Sequence, residues 1–294
     1  MDSSEENLFT GSNLVFLLGA PRSGTTWLQR LLASHPRIKT GQESGVFKYV
    51  GWPLRVWKAD MHEDPRGGQG LPCYLTEQEF LSVLKKYMAS LLKAMVKDLR
   101  PGELFLEKTP SHALLVPEIA ELLPRVKLLH LIRDPRDVSA SLIAASKGWG
   151  RSWAPRGAYK SAKTWVQHVN AVREAAPRLQ PGQLMEIFYE DLFREPVPTL
   201  RRICGFLNLP WTDGEIAAAV AANTANELRK GNGTPIPIRG EHGKGDSDVV
   251  REPVDFVRKA HPGTWREDLT FLDRLQIKFV LRRDMPDWEK FAKA

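Results

Sequence analysis

The chain contains 294 residues, of which 42% are hydrophobic and 26% are charged, a composition typical of a folded globular protein rather than a disordered or fibrous one. Its 42 basic and 35 acidic residues give a formal net charge of +7, which favours an anionic ligand because positive clefts concentrate anions. No basic run with interleaved aromatic residues predicts binding to nucleic acid, and the two cysteines, Cys73 and Cys204, form neither a disulfide framework nor a metal-spaced cluster.

The N-terminal residues do not resemble a targeting signal. Residues 1–13 are acidic and polar, unlike the basic and apolar start of a secretory signal peptide. No apolar run approaches the roughly 20 residues of a membrane span. We therefore expect a cytoplasmic protein without a membrane span, in which residues 1–12 form a disordered tail.

The first predicted elements frame a phosphate-binding loop. An apolar run at residues 14–18 predicts a buried strand, and residues 25–33 predict a helix. Gly19 and Gly24, in the loop between them, have the G-x-x-x-x-G spacing of a P-loop. Because amides at a helix N-terminus bind anions, we predict a site for a phosphate-like group here.

The side chains of this loop differ from those of a nucleotide triphosphatase. Such an enzyme has lysine directly after the second glycine, where it reaches the β and γ phosphates, whereas this chain has Thr25. The nearest cation is Arg22, inside the loop, and Ser23 and Thr26 add hydroxyl donors. The loop is therefore predicted to hold a phosphate-like group without the lysine that ATP requires.

Alternating strands and helices are predicted along the rest of the chain. Further strands are expected at residues 37–40, 104–106, 126–132 and 183–189. Helices are expected at residues 76–99, 114–123, 135–145, 158–176, 196–207, 213–223 and 268–283. Such alternation indicates right-handed crossovers and a parallel sheet. We predict the α/β class, with a P-loop-like three-layer fold, a central parallel sheet flanked by helices, and a single domain over residues 1–294.

Two segments are predicted to be irregular. Residues 46–74 combine aromatic residues with proline and glycine, and residues 230–248 are rich in glycine, proline and charge. A further loop is expected at residues 147–157. The tryptophans of the irregular segments could line an apolar pocket or pack ordinarily in the core; they are Trp52, Trp57, Trp149 and Trp153.

A second charged motif follows the strand predicted at residues 126–132. Arg133 ends this strand, and Ser141 lies eight positions later, about two turns into the next helix. A cation at a strand end and a hydroxyl on the adjoining helix could share one phosphate. The alternative is that Arg133 forms an ordinary salt bridge with Asp134 or Asp137.

Three segments together resemble one protein family. They are Arg-Ser-Gly-Thr-Thr-Trp at residues 22–27, Ile-Arg-Asp-Pro-Arg-Asp-Val-x-x-Ser at 132–141, and Phe-Val-Arg-Lys-Ala-His-Pro-Gly-Thr-Trp-Arg at 256–266. In this order they resemble the sulfotransferases that use 3′-phosphoadenylyl sulfate (PAPS), from residue 14 to about residue 270. The third segment departs from the family's Arg-Lys-Gly-x-x-Gly-Asp-Trp-Lys, most clearly at Ala260.

The resemblance implies which residues hold PAPS, the donor, and PAP, the product. It implies that the 5′-phosphosulfate contacts the first loop, at Arg22, Ser23, Gly24, Thr25 and Thr26. It implies that the 3′-phosphate contacts Arg133, Ser141, Arg258 and Lys259. It further implies that the adenine lies near Trp27, Tyr189 and Thr224. Considered by themselves, the last three could equally be two core aromatic residues and a helix cap.

Sulfuryl transfer needs a base for the proton of the acceptor and cations at the leaving oxygen. The resemblance assigns the cations to Arg22 and Lys108. Glu43 follows the loop arginine at the spacing of the base in tyrosyl-protein and glycan sulfotransferases, 43 − 22 = 21 positions. Small-molecule cytosolic members use a histidine at the position that is Pro110 here, and the nearest histidine is His112. Both Glu43 and His112 remain candidate bases, and Glu43 is preferred.

The predicted function is transfer of a sulfuryl group from PAPS to an acceptor, expected to be a hydroxyl, by in-line displacement without a metal. The sequence specifies neither the acceptor class nor the oligomeric state. One alternative is a P-loop-type nucleotide kinase or phosphotransferase, against which Thr25 argues. The other is a non-catalytic nucleotide-binding protein.

Overall fold

The computed structural model describes residues 10–63, 70–239 and 248–292. Its centre is a sheet of five parallel strands in the order β2-β3-β1-β4-β5. The strands are β1 (Leu14–Leu18), β2 (Ile38–Thr40), β3 (Leu104–Lys108), β4 (Lys127–Ile132) and β5 (Leu184–Phe188). Helices pack on both faces of the sheet, so the predicted α/β class and three-layer arrangement are confirmed.

The α-helices of the described residues connect and cover these strands. They are α1 (Thr25–Ala33), α2 (Phe47–Glu63), α3 (Glu77–Val96), α4 (Val116–Leu122), α5 (Pro135–Ser146), α6 (Ala158–Ala175), α7 (Tyr189–Arg194), α8 (Pro196–Leu207), α9 (Asp213–Ala222), α10 (Ala225–Lys230), α11 (Trp265–Asp268) and α12 (Phe271–Asp284). Short 3₁₀ turns lie at Leu71–Cys73, Pro110–Leu115, Ala176–Arg178 and Trp288–Phe291.

The central strand β1 is buried on both faces. Leu14, Phe16 and Leu18 pack into a core that includes residues of α2 and α3. Val15 and Leu17 pack into a second core, with residues of α1 and α8. Because side chains of a strand alternate between faces, a strand covered on both sides has the continuous apolar run that predicted β1.

The register of the sheet brings the carboxyl ends of four strands together. Leu17 of β1 lies opposite Lys108 of β3, and Ile132 of β4 lies opposite Phe188 of β5. The residues that follow these strands therefore meet at one edge of the sheet. Arg133, directly after β4, and Tyr189, directly after β5, become neighbours for this reason.

The prediction that residues 46–74 are irregular is wrong for most of that segment. Helix α2 spans Phe47–Glu63 and contains Pro53. One face of α2 enters the core, where Trp57 stacks on Phe80 of α3 with 4.2 Å between ring centroids. Proline lowers helix propensity, but the burial of that apolar face outweighs the local preference, since packing supplies most of a helix's stability.

Other predicted segments are confirmed where the structure describes them. Thr76 caps α3 in a capping box with Glu79. The tail expected at residues 1–12 falls largely on residues 1–9, outside the described residues. The loop expected at residues 230–248 is described at residues 230–239 and 248, and residues 231–239 form no helix or named strand. The single domain over the whole chain stays a prediction. Within the described ranges, no helix is both long and apolar enough to cross a bilayer.

Candidate active site

A cleft of about 1800 Å³ opens at the carboxyl edge of the sheet, where open α/β folds bind ligands. Its lining includes the loop before α1, residues after β3 and β4, and a C-terminal segment, residues 255–265, which we call the strap. The described lining residues include six arginines and four lysines against two glutamates and one aspartate. The cleft is therefore positively charged, and it exceeds the roughly 300–1,000 Å³ of an ordinary small-ligand pocket.

The backbone of the loop between β1 and α1 lets neighbouring groups come close to it. Gly24, the N-cap of α1, has a φ of 98°, and a Cβ atom there would lie 2.7 Å from the ring of Tyr189. Arg22 also adopts a positive φ, 74°, which is strained for a residue with a side chain. The buried Ser23 hydroxyl has no hydrogen-bond partner among the described residues. An anion at the N-terminus of α1 would satisfy this hydroxyl together with the free amides of the helix.

Arg22 points across the cleft towards α5. Its guanidinium lies over the rings of Trp149 and Phe256, 5.0 and 4.4 Å from the centroids. Its Nε donates to the Ser141 hydroxyl at 3.1 Å, and its Nη2 donates to the Phe256 carbonyl at 2.7 Å. Burial, followed by the charge of Arg133, lowers the pKa of Arg22 to about 10. Cations that crowd each other in this way favour a bound anion.

Arg133 and Ser141, the two residues predicted to share a phosphate, both line the cleft, and each contacts Arg22. Arg133 lies over the Tyr189 ring, 4.3 Å from its centroid, and donates to the Arg22 carbonyl at 3.4 Å. Its Nη2 lies 4.0 Å from Asp137, so the predicted alternative of a salt bridge is present as a long contact. The buried Nε of Arg133 has no partner among the described residues. Arg133, Ser141 and Arg22 thus form one cluster with an unused donor.

Glu43 and Lys108 form an ion pair at the mouth of the loop. Lys108 Nζ lies 2.5 Å from Glu43 Oε1 and donates to the Thr26 hydroxyl at 3.3 Å. The lysine side chain is buried, whereas the glutamate side chain is 51% exposed. Lys108 ends β3 and Thr26 lies in the first turn of α1, so the fold of the sheet itself brings this pair to the anion site. A half-exposed carboxylate beside a buried ammonium can accept a proton from a group in the cleft.

His112 lies in the core, away from the cleft. It is fully buried, and its ring contacts the rings of Phe16 and Phe47. Its Nδ1 lies 3.0 Å from Glu107, and its Nε2 accepts from the Phe47 amide at 3.2 Å. Both ring nitrogens are engaged, so the geometry supports Glu43 rather than His112 as the base.

Glu107 positions the segment next to Glu43, a role that the sequence did not predict. This buried carboxylate accepts from the hydroxyls of Ser44 and Thr109, both at 2.7 Å, and contacts His112. Ser44 directly follows Glu43, so Glu107 anchors the segment that carries the candidate base. Glu107 directly follows the strand predicted at residues 104–106 and lies inside the observed β3; a single glutamate at that position gave no local signal of this role.

The predicted adenine residues form one wall of the cleft. The rings of Trp27 and Tyr189 lie edge to face, with 5.6 Å between centroids. Trp27 donates to the Asn223 carbonyl at 3.0 Å, and Tyr189 donates to the carbonyl of Ala260 in the strap at 3.2 Å. Thr224 caps α10 through the Glu227 amide and also lines the cleft. The position of Thr224 therefore fits both predictions, a helix cap and a residue near the adenine.

The strap carries Arg258 and Lys259, which are paired with acidic residues. Arg258 contacts Asp268 at 2.6 Å, and Lys259 contacts Glu267 at 2.7 Å and Asp268 at 2.9 Å. Arg229 donates to the carbonyls of Val257 and Arg258, at 3.1 and 2.8 Å. The two basic residues line the cleft, but in this conformation their charges are engaged with the acidic residues of α11.

Two of the four tryptophans named as pocket candidates reach the cleft. Trp149 and Trp153 line it, and their rings lie 5.5 Å apart. Trp52 and Trp57 lie on α2 instead, the first exposed and the second in the core. Among the described residues, no group of three or more histidine, cysteine, aspartate and glutamate side chains could hold a metal ion.

Asp137 fastens the strap to α5, and sequence reasoning assigned it no such role. This buried carboxylate accepts from the amides of Gly263 and Trp265, at 2.7 and 2.9 Å, and from the Thr264 hydroxyl at 3.3 Å. It lies one turn after Arg133. Asp137 therefore couples the position of the strap to the cation cluster around Ser141.

The substitution Asp137→Ala is expected to loosen the strap. Two part-buried backbone hydrogen bonds that hold the strap would be lost, so hydrogen exchange at residues 255–265 should become faster. Hydrogen exchange read by mass spectrometry checks this result. The matched control is Asp213→Ala, which removes an exposed aspartate paired with Arg201; equal exchange of the strap in both variants would contradict the account.

Glu190 gives a pH-dependent stability. Burial raises its pKa from 4.5 to about 7, against the opposing effect of the hydrogen bond from the Asp134 amide. The folded protein then binds a proton that the unfolded chain has released, so stability is lost as pH rises from about 4.5 to 7. At about 1.4 kcal/mol per pKa unit, this rise in the pKa of Glu190 lowers the free energy of unfolding above pH 7 by roughly 3 kcal/mol relative to its value at low pH.

The substitution Glu190→Gln is expected to remove this loss, because the amide imitates the protonated carboxyl. Relative to the parent chain, the variant should gain stability progressively from pH 5 to pH 8, by up to roughly 3 kcal/mol. Urea unfolding at several pH values checks this. Glu174→Gln, at an exposed position, is the control; a difference between Glu190→Gln and the parent that does not change with pH would refute the assignment.

The chain is an α/β protein of the P-loop type, with a cleft lined by basic side chains and a carboxylate–lysine pair beside the loop before α1. The sequence profile of the Sulfotransferase family matches residues 14–213, and the chain belongs to this family. The resemblance stated from the three motifs is thereby confirmed.

Curated relatives carry the names of protein-tyrosine sulfotransferases. One from Drosophila melanogaster is 25% identical over 247 residues, which cover 83% of this chain and 45% of that protein. Protein-tyrosine sulfotransferase 1 of Danio rerio is 26% identical over 208 residues, 68% of this chain and 54% of that protein. The chain thus spans about half the length of these relatives.

Solved structures of sulfotransferases share the fold. The complex of mouse sulfotransferase SULT7A1 with PAP superposes with a TM-score of 0.61 at 16% identity, over 99% of this chain and 95% of that one. The sulfotransferase domain of the curacin biosynthetic pathway gives a TM-score of 0.59 at 16% identity, over 92% and 97% of the two chains. At such identities the similarity establishes the architecture alone.

Proposed function

We propose that the chain transfers a sulfuryl group from PAPS to the hydroxyl of an acceptor. The observation that carries this proposal is the Glu43–Lys108 pair, held 2.5 Å apart beside the anion-binding loop. Family membership supports the reaction class. A cytoplasmic location is proposed from the sequence alone.

The residues of the cleft fit the two anionic ends of PAPS. The buried hydroxyl of Ser23 and the amides of α1 suit the 5′-phosphosulfate. Arg133, whose Nε is an unused donor, and Ser141 suit the 3′-phosphate. Arg22, which the resemblance assigns to the 5′-phosphosulfate and the leaving oxygen, contacts Ser141 instead, so we assign it to the 3′-phosphate and leave the leaving oxygen to Lys108. The wall of Trp27 and Tyr189 suits the adenine ring. When bound, PAPS supplies the activated sulfuryl group.

The protein's own groups then carry the proton and the charge. Glu43 takes the proton of the acceptor hydroxyl as the oxygen bonds to sulfur. Lys108 neutralises the negative charge that develops on the phosphate oxygen as the sulfur–oxygen bond of the donor breaks. Because Lys108 also donates to Thr26, its ammonium is fixed before the reaction, which avoids reorganisation in the transition state.

We further propose that the acceptor is a tyrosine of a polypeptide. The names of the curated relatives support this class. The cleft, about 1800 Å³ in volume, has to hold both PAPS and the side chain that accepts the sulfuryl group. Trp149 and Trp153 add aromatic surface to the same cleft.

A transfer assay tests the proposal. The purified chain is incubated with PAPS or with ATP, and with a tyrosine-containing peptide, a phenol, a glycan or a lipid alcohol; products are identified by mass spectrometry. Sulfation of the peptide with PAPS, and no transfer from ATP, is the expected result. Phosphorylation with ATP would instead indicate a kinase, and binding of PAP without transfer to any acceptor would indicate a non-catalytic protein.

A further inference from the structure

Helix α2 presents an exposed apolar ridge formed by Tyr49, Trp52 and Val56. These side chains are 62%, 49% and 57% exposed, and their spacing of three and four residues places them on one face of the helix. The opposite face of α2 is buried in the core. The ridge therefore contributes little to the core, and a row of large exposed apolar side chains indicates a binding surface.

The ridge is continuous with the cleft. Lys48, in the first turn of α2, lines the cleft, as does Glu43 just before the helix. Lys48, Trp52 and Val56 lie four residues apart on the same helix face. From Lys48 to Val56 the helix rises about 12 Å, the length of about three or four residues of an extended chain.

Trp52, the central residue of the ridge, is held in place. Arg55 lies over the Trp52 ring, 4.9 Å from its centroid. Two hydrogen bonds of 2.8 and 2.9 Å then fix Arg55 to Glu118 of α4. An aromatic side chain held in this way loses little conformational entropy on binding, which favours its use as an anchor.

We infer that the α2 ridge binds the apolar side chains that flank the acceptor hydroxyl in a polypeptide substrate. A small acceptor that fits inside the cleft would not reach Val56, whereas an extended chain leaving the site past Glu43 and Lys48 would lie along the ridge. This inference rests on the proposed function. It adds a second contact surface, outside the cleft, that selects apolar residues near the tyrosine.

Steady-state kinetics with three acceptors test this surface. They are a peptide with one tyrosine flanked on both sides by leucines, the same peptide with serines in place of the leucines, and tyrosine amide. The variants Trp52→Ser and Val56→Glu should raise KM for the leucine-flanked peptide about tenfold or more. KM for tyrosine amide and kcat with all three acceptors should stay unchanged. The control is Phe279→Ser, which alters an equally exposed apolar residue on α12.

The outcomes separate this inference from the proposed function. Equal changes in KM for the peptide and for tyrosine amide, or no change for either, would overturn the inference while leaving sulfation intact. If Val56→Glu converts a dimer to a monomer in sedimentation, a second copy covers the ridge and the inference is wrong. If the parent chain sulfates nothing, the proposed function fails. In that case, fluorescence anisotropy measures how tightly the labelled leucine-flanked peptide binds. Weaker binding by both variants supports the inference that the ridge binds the peptide, and unchanged binding overturns that inference.

Discussion

The substitution Glu43→Gln is expected to lower kcat by about 10²- to 10⁴-fold, the usual contribution of a general base. The amide keeps the size of the side chain and an oxygen that can accept from Lys108, but it cannot take the proton of the acceptor. Affinity for PAP should not fall, because the variant keeps Lys108 and Thr26 and removes a negative charge beside them. Initial rates of peptide sulfation and calorimetric binding of PAP check the two expectations.

A second carboxylate of the same cleft provides the control. Glu252 lines the cleft and pairs with Arg30 at 3.4 Å, so Glu252→Gln changes the local charge equally without touching the Glu43–Lys108 pair. It should lower kcat at most severalfold. Comparable losses in both variants would mean that the charge of the cleft, rather than a base at Glu43, determines the rate.

The substitution Lys108→Met should lower kcat by about 10²- to 10³-fold, as expected for removal of one preorganised donor from a developing charge. Methionine replaces much of the buried stem of the lysine but carries no charge. Rapid-quench measurement of the chemical step checks this expectation. Lys39→Met on β2 is the control, because Lys39 pairs with Glu103 and not with Glu43.

The two catalytic substitutions should not be additive. Glu43 and Lys108 contact each other, and the effects of groups that act as one unit overlap. The double variant Glu43→Gln/Lys108→Met should therefore lose much less than the product of the single losses. Full additivity would show that the two residues act independently, which the 2.5 Å contact argues against.

The sequence predicted the elements whose local signals agree with their packing. β1 is a continuous apolar run because it is buried on both faces, and α8 was predicted at its observed bounds because its apolar period and Pro196 agree. Helix α2 was missed because Pro53 and the neighbouring aromatic residues suggested an irregular segment. Only tertiary packing, such as the stacking of Trp57 on Phe80, compensates for that local preference, and the sequence does not display it.

The site residues were predictable where a functional side chain lies at or directly after the end of a strand. Arg133, Lys108 and the loop before α1 follow or end buried strands, so a parallel sheet brings them together. The direction of Arg22 was not predictable, because its contacts with Ser141 and Phe256 join residues 119 and 234 positions away. The anchoring roles of Glu107 and Asp137 depend in the same way on partners that no local pattern identifies.

A single-turnover experiment shows whether the sulfuryl group passes directly from PAPS to the acceptor. Excess enzyme is mixed with limiting PAPS and a tyrosine peptide, and PAP and sulfated peptide are quantified in the same quenched samples. Direct transfer should produce both products at one rate and in equal amounts. Formation of PAP without sulfated peptide, or recovery of intact PAPS in the presence of every acceptor, would contradict it.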